Sequence, residues 1–311
     1  MRRLFREVGI LPIVVVASLV AFGIASPKFF TAHNMSTALK QSLYLVLVTM
    51  GQSIVMITGC IDLSLGTTIS LTSIALAKIM VLPWNPALAI GLGAGCGMGF
   101  PIVIGALNGG LVGFLGVPPF LATLGMMFAV EGATYMLSSG MPVYGLPRAF
   151  TSLAGSASLF PLALTAAAVV AVIIYMGSTV GGRRLYAVGG NSKAARTVGI
   201  LAHRTWIRGY VLAGCLVGIA AVLLTARVSS GEPMLGRSLM LESIAAAVLG
   251  GVSIKGGSGK IVGAVIAAIF IRFLRNGMDL ANVSGYLQQL LLGAILVAAV
   301  VFSANTGKQR S

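Results

Sequence analysis

The chain has 311 residues, of which 57% are hydrophobic and 9% charged, with a mean hydropathy of +1.00. Soluble domains carry roughly 25% charged residues, so this chain lacks the polar surface to coat a water-soluble globule, and hydrocarbon is its expected solvent. Its net charge of +15 reads as loop charge sorted by membrane side rather than as a nucleic-acid surface.

In chain order, stretches free of Asp, Glu, Lys and Arg cover 8–27, 41–61, 79–130, 149–182, 209–226 and 280–307, and about 20 apolar residues span a bilayer core. Breaks at Pro, Gly and charge divide them into predicted helices near 9–26, 36–58, 66–82, 87–107, 119–139, 159–177, 207–226, 242–254, 260–276 and 286–303. The first follows a basic start like that of a signal peptide, but no clean small-x-small cleavage site succeeds it, so it is expected to remain as a membrane helix. The expected fold class is all-α: a polytopic membrane bundle of about ten transmembrane helices, some short or broken, in one domain over residues 1–311. The eighth and ninth segments are short and flank Gly250-Gly251, Gly256-Gly257 and Gly259. Interrupted helices inside a bundle often line a transport route, where their free backbone groups meet water or substrate. The spacing Gly59…Gly66 recurs there as Gly250…Gly257.

An even number of spans puts both termini on one side. With the termini inside, 13 of the 21 basic residues fall on cytoplasmic ends and loops, among them the run Arg183, Arg184, Lys193, Arg196, Arg204 and Arg208. The other eight, including Arg272 and Arg275, fall outside. Both termini are therefore expected in the cytoplasm.

Few residues offer chemistry. Asp62 lies between two long apolar runs, where a carboxylate is expensive unless paired or hydrated. It is a site candidate, although an Asp just ahead of a helix also caps free N–H groups, and that structural role is favoured. Glu131 in the fifth segment is expected to pair with an Arg near the outer face. Glu232, Glu242 and Asp279 fall at predicted helix ends or loops, where ordinary solvation suffices. Gly259-Lys260 resembles the end of a phosphate loop, but Ile254 and Ile261 occupy the positions needing Gly and Ser or Thr, so ATP is not expected to bind here. Cys60, Cys96 and Cys215 are isolated in apolar surroundings with no partner at metal-ligand spacing. Between the sixth and seventh segments, about 178–206, Asn191 or Ser192 can cap a short helix through Val198, which Gly199 can end in a left-handed conformation. Such a helix either lies among lipid headgroups or docks in a groove of a soluble partner.

Four stretches in order carry a resemblance. They are Gly51-Gln52 through Gly59-x-Ile61-Asp62-Leu63-Ser64-x-Gly66; Gly105-x-x-Asn108-Gly109 through Pro118-Pro119-Phe120-x-x-Thr123-Leu124-Gly125; Gly182-Arg183 through Tyr186-Ala187-Val188-Gly189-Gly190-Asn191 with Ala194-Ala195 and Gly199-Ile200; and Leu241 through Gly250-Gly251, Gly256-Gly257-x-Gly259, Asn276-Gly277 and Tyr286-x-Gln288. Together they resemble the permeases of bacterial ATP-binding-cassette importers for ribose, xylose, arabinose, galactose and related sugars. Cys60 replaces a common Gly of that pattern, and Glu131 stands where many relatives carry a basic residue. The resemblance implies a permease with no catalytic residue, metal or cofactor of its own, in the bacterial inner membrane. It implies a second permease subunit, alike or paralogous, a cytoplasmic ATPase that binds ATP and Mg, and a periplasmic sugar-binding protein, with membrane lipid around and no nucleic acid. Arg183, Arg184, Tyr186, Ala187, Val188, Gly189, Asn191, Ala194, Ala195, Gly199 and Ile200 would form the ATPase-coupling segment. For the sugar path, polar groups near predicted breaks are expected: Asp62, Ser64, Asn108, Thr123, Asn276 and Gln288, each of which could equally tie neighbouring helices together. A branched-chain amino-acid permease and an ion-coupled secondary transporter are the alternatives.

Overall fold

The computed structural model describes residues 26–155 and 157–291 continuously, with scattered positions from 18 to 24 and from 293 to 297. The first predicted segment and the end of the last lie largely outside the described residues, so the expected count of about ten spans is not settled by them. The eight predicted segments between are all helical: α1 (Ala32–Ile57), α2 (Leu65–Met80), α3 (Pro86–Gly113), α4 (Pro119–Ser138), α6 (Phe160–Ser178), α9 (Ala202–Val228), α10 (Arg237–Leu249) and α11 (Ile261–Leu280). A single turn, α5 (Arg148–Thr151), lies between α4 and α6, and α7 (Val180–Gly190) and α8 (Ser192–Thr197) lie between α6 and α9. Six of the described helices are long and apolar enough to cross a membrane: α1, α3, α4, α6, α9 and α11.

Local chemistry starts and stops these helices. Thr31 and Asn85 accept N–H bonds from the first turns of α1 and α3, and Pro86 and Pro119 stand where a missing N–H does no harm. Gly59, Gly199 and Gly251 take positive φ just beyond α1, α8 and α10, the conformation that closes a helix C-terminus at least cost in glycine.

The layering is that of a membrane bundle. From Ser42 to Ile57 α1 is buried throughout, whereas most residues of α3, α4 and α6 are not buried. The outer helices present Leu88, Leu92, Val103, Leu107, Phe128, Val170 and Ile174. Large apolar residues in rows like these are an aggregation liability in water and a match to lipid chains. At the centre, α9 runs antiparallel to α3 along glycines four residues apart. A methyl at Gly109 would come within 2.6 Å of the Ile207 Cα, and one at Gly113 within 2.9 Å of the His203 carbonyl oxygen. With little apolar driving force between helices in lipid, such close backbone approach supplies the packing contacts.

Candidate functional site

The chain breaks between α1 and α2, and the break is lined by polar groups. The Asp62 Oδ1 accepts from the Ser64 N–H at 2.8 Å and from the Ser64 hydroxyl at 2.6 Å. The carboxylate thus braces the Ser64 turn just ahead of α2, but no side chain caps the first-turn N–H groups of that helix, so the capping role favoured from sequence is not what Asp62 does. Its surroundings add more: the Asn108 amide from α3 donates to the Ser64 Oγ at 2.9 Å and sits 3.5 Å from both Asp62 oxygens. The Thr123 hydroxyl from α4 donates to the Ile61 carbonyl at 3.2 Å, and the Tyr210 hydroxyl from α9 reaches the same oxygen at 3.3 Å. The break and three helices, α3, α4 and α9, therefore bring Asp62, Ser64, Asn108, Thr123 and Tyr210 to one buried place. Among the described residues, the Asn108 Oδ1 and the hydroxyl of nearby Thr68 have no hydrogen-bond partner. The crevice bounded by Asp62, Ser64, Thr68 and Tyr210 is too narrow for water, so the bundle is closed here.

Next to that break, on the α7–α8 side, a cleft of about 820 Å³ opens between Thr58–Cys60, the 113–119 connection, Val188–Lys193, Trp206 and Lys255. The Trp206 Nε1 donates to the Thr58 carbonyl at 3.2 Å and holds one wall. Cys60 lies at the inner edge of this cleft, two residues before Asp62.

The segment between α6 and α9 is two helices joined at Asn191, whose side chain accepts from the Lys193 and Ala194 N–H groups at 3.1 and 3.0 Å. The expected cap and the left-handed Gly199 are both present; α7 in addition continues the helix back to Val180. The segment has two faces. Leu185, Val188 and Ala195 are buried against the bundle, and the Tyr186 hydroxyl donates to the Gly259 carbonyl at 2.9 Å. Burial raises the Tyr186 pKa above the usual phenol value, which keeps that donor proton in place. Arg183, Arg184, Ala187, Asn191, Ala194 and Gly199 face outward. The sequence reading assigned all of these residues except Leu185 to a partner, and the two faces divide them.

The inward face makes a joint of bare backbone. A methyl on Gly189 would overlap the Ile57 carbonyl oxygen and stand 2.7 Å from the Gly257 nitrogen. The Gly257 N–H donates to that same Ile57 carbonyl at 2.8 Å. Gly256 lies against Gly59, where an added Cβ would come 2.6 Å from its Cα. The recurrent Gly59 and Gly256-Gly257 are therefore contacting partners, brought together under the end of α7.

The other end of the 250–260 loop is α10, a half-length helix that starts inside the bundle. Gly236, just before it, is seated on Gly66 at the start of α2; a methyl at either glycine would strike the other's carbonyl. Glu242 on α10 is buried and bonded to Arg272 at 2.9 Å and Arg275 at 2.6 Å, both on α11. This corrects one expectation: Glu242 is not a solvated helix end but meets two arginines of the next helix. The missed signal was an acid one turn inside α10 facing an i, i+3 pair of arginines on α11. Asn276 and Gln288 do not reach the Asp62 cluster. Asn276 exchanges two amide bonds, 2.8 and 2.9 Å, with Asn34 at the opposite end of α1 from the break. The Gln288 Nε2 donates to the Asp279 Oδ1 at 2.7 Å. Both tie helices together. Glu131 makes no ion pair among the described residues, contrary to expectation.

A broken-helix bundle with a two-faced segment packed under its break is the architecture of a transport permease. The chain belongs to the family described as branched-chain amino acid transport system / permease component, whose model matches residues 34–300. It is 34% identical over 289 residues to the ribose import permease protein RbsC of Escherichia coli K12, covering 89% of this chain and 87% of that protein. It is 35% identical to the Bacillus subtilis ribose import permease protein RbsC, covering 97% and 92%, and 34% identical to the E. coli D-allose transport system permease protein AlsC, covering 92% and 88%. No solved structure matches the chain. The resemblance drawn from the four motifs holds over most of the sequence.

Proposed function

We propose that this chain forms the membrane path of an ATP-driven, binding-protein-dependent importer of a monosaccharide. It works in the bacterial inner membrane beside a second permease subunit, with both termini in the cytoplasm. ATP and Mg are bound by a separate ATPase, and a periplasmic protein delivers the sugar. The outward face of α7–α8, with Arg183, Arg184, Ala187, Asn191 and Ala194, meets the ATPase.

The observation that carries this reading is the backbone joint at Gly189. A push on α7 arrives at the Ile57 carbonyl and at Gly256-Gly257 together, because no side chain intervenes to absorb it. Five residues beyond Ile57 lies Asp62. Nucleotide-driven movement of the segment thereby shifts the end of α1 and the 250–260 loop as one piece and changes the closure at Cys60–Asp62. Such coupling is a population shift between two access states driven by a ligand bound elsewhere. Asp62, Ser64, Asn108 and Thr123 offer a passing sugar hydroxyl both donors and acceptors, and the unpaired Asn108 Oδ1 has capacity to spare. The relatives named for ribose and D-allose support a sugar over the amino acid in the family's description.

The test is reconstitution with the cognate ATPase and binding protein. Sugar-dependent ATP hydrolysis and uptake are expected. Uptake without any ATPase would instead support an ion-coupled transporter, and stabilisation of the binding protein by leucine but not by sugars would support an amino-acid cargo.

A further inference from the structure

The carboxylate of Asp62 is met by donors on one side only. It is 1% exposed, and among the described residues no Lys, Arg or His pairs with it. The Ser64 N–H and hydroxyl both engage Oδ1, and the nearby start of α2 offsets part of the charge. Among the described residues Oδ2 meets one donor, the Asn108 Nδ2 at 3.5 Å, past the range of about 2.7–3.2 Å for an N–H···O bond.

The neighbours of Oδ2 are also short of donors. The Asn108 Oδ1 and the Thr68 hydroxyl have no hydrogen-bond partner, and their residues are 0% and 2% exposed. Ser64 spends its hydroxyl hydrogen on Asp62, Asn108 turns its amide on the Ser64 Oγ, and Tyr210 spends its hydrogen on the Ile61 carbonyl. What the crevice holds in surplus is oxygen lone pairs around one buried negative charge. Such a charge must be paired or be given up.

We propose that the break binds a sodium ion between the Asp62 Oδ2, the Asn108 Oδ1 and the Thr68 hydroxyl, and that this ion holds the closed state. The Ser64 and Tyr210 oxygens line the same crevice. An all-oxygen set suits a hard cation, and one carboxylate balances one positive charge. The crevice is too narrow for water; a bare sodium ion is smaller than a water molecule, whereas potassium is about as large. Unwound backbone between membrane helices is a recurrent place for sodium coordination. The three ligands come from the break, α2 and α3, so a movement that opens the break pulls them apart. The ion therefore binds the closed state better and shifts the population toward it. The proposal concerns this closed state and does not depend on the importer reading.

The experiment follows the melting temperature of the full chain in lipid nanodiscs as NaCl replaces choline chloride at constant ionic strength, with KCl in parallel. A saturating rise with NaCl is expected, and half-saturation should need at least about tenfold more KCl. Asp62→Asn should abolish the response. Thr68→Val, which removes one ligand, should raise the half-saturating NaCl about tenfold, and Thr68→Ser should restore it. No rise, an equal rise with KCl, or a rise that survives Asp62→Asn overturns the site. So does a melting temperature that ignores sodium and climbs as the pH falls, which would put a proton on Asp62 instead. If Asp62→Asn fails to fold, Thr68→Val decides, and an unchanged half-saturation in it overturns the site. Uptake driven by a sodium gradient with no ATPase would support the ion and overturn the importer reading.

Discussion

The two ends of α1 are held by opposite means. Near Ile57 the contacts are backbone on backbone, through Gly59, Gly189, Gly256 and Gly257. Near Asn34 they are made by side chains that reach: the Asn34–Asn276 amide pair and, on α11 beside it, the arginines of Glu242. A side chain yields by rotating, so a side-chain tie transmits force loosely and tolerates small shifts. A backbone joint has no rotamers to spend, so displacement at one member is displacement at all. The first kind holds helices together, and the second is the kind that the proposed coupling needs.

The largest expected effect breaks the joint. Gly189→Val places its side chain in the Ile57 carbonyl, an overpacking that costs about 1–3 kcal/mol. Membrane insertion should survive while sugar-stimulated ATP hydrolysis and uptake vanish. Gly190→Ala is the control: its added Cβ meets nothing nearer than the Gly257 Cα at 3.9 Å, so uptake should stay near wild type. Equal behaviour of the two variants would sink the joint.

Next comes the opposite region. Glu242→Ala leaves two guanidinium groups with no carboxylate between them, and stranding a buried charge in this way costs about 3–5 kcal/mol. A lowered melting temperature in detergent is expected, with partial recovery when Arg272→Leu is added. Recovery would show that the stranded charge, rather than lost packing, is responsible. A melting point that does not move would mean that the pair is solvated and holds nothing.

What could be read from sequence follows from which interactions are local. Apolar runs located the eight described helices, six of them long and apolar enough to cross a membrane, because burial in lipid leaves no other composition open to such segments. The Asn191 cap and the Gly199 stop are contacts within a few residues, and both were legible. The glycine-rich 250–260 stretch was legible as a break, but its meeting with Gly59 and Gly189 depends on three distant segments converging. Glu242 was misread for the same reason: its partners lie 30 and 33 residues along the chain, on the next helix. Among the path candidates, residue type alone could not separate Asn108, aimed at the break, from Asn276, spent on Asn34.

That pair of asparagines gives the smallest and most discriminating test. Hydrogen bonds between membrane helices are worth about 0.6 kcal/mol on average, and about 1.7 at most. Asn108→Ala and Asn276→Ala should therefore lower stability by similar, modest amounts. Their effects on transport should differ. Asn108 touches Ser64 and lies beside Asp62 at the closure, so its loss should cut uptake severalfold with binding-protein docking and ATPase assembly intact. Asn276 is bonded at the far end of α1 and should leave uptake within about twofold, as should Gln288→Ala, whose amide is bonded to Asp279. If Asn276→Ala impaired uptake more than Asn108→Ala at matched stability, the path would run along the α1–α11 seam, and the polar cluster at the break would be only a brace for the turn ahead of α2.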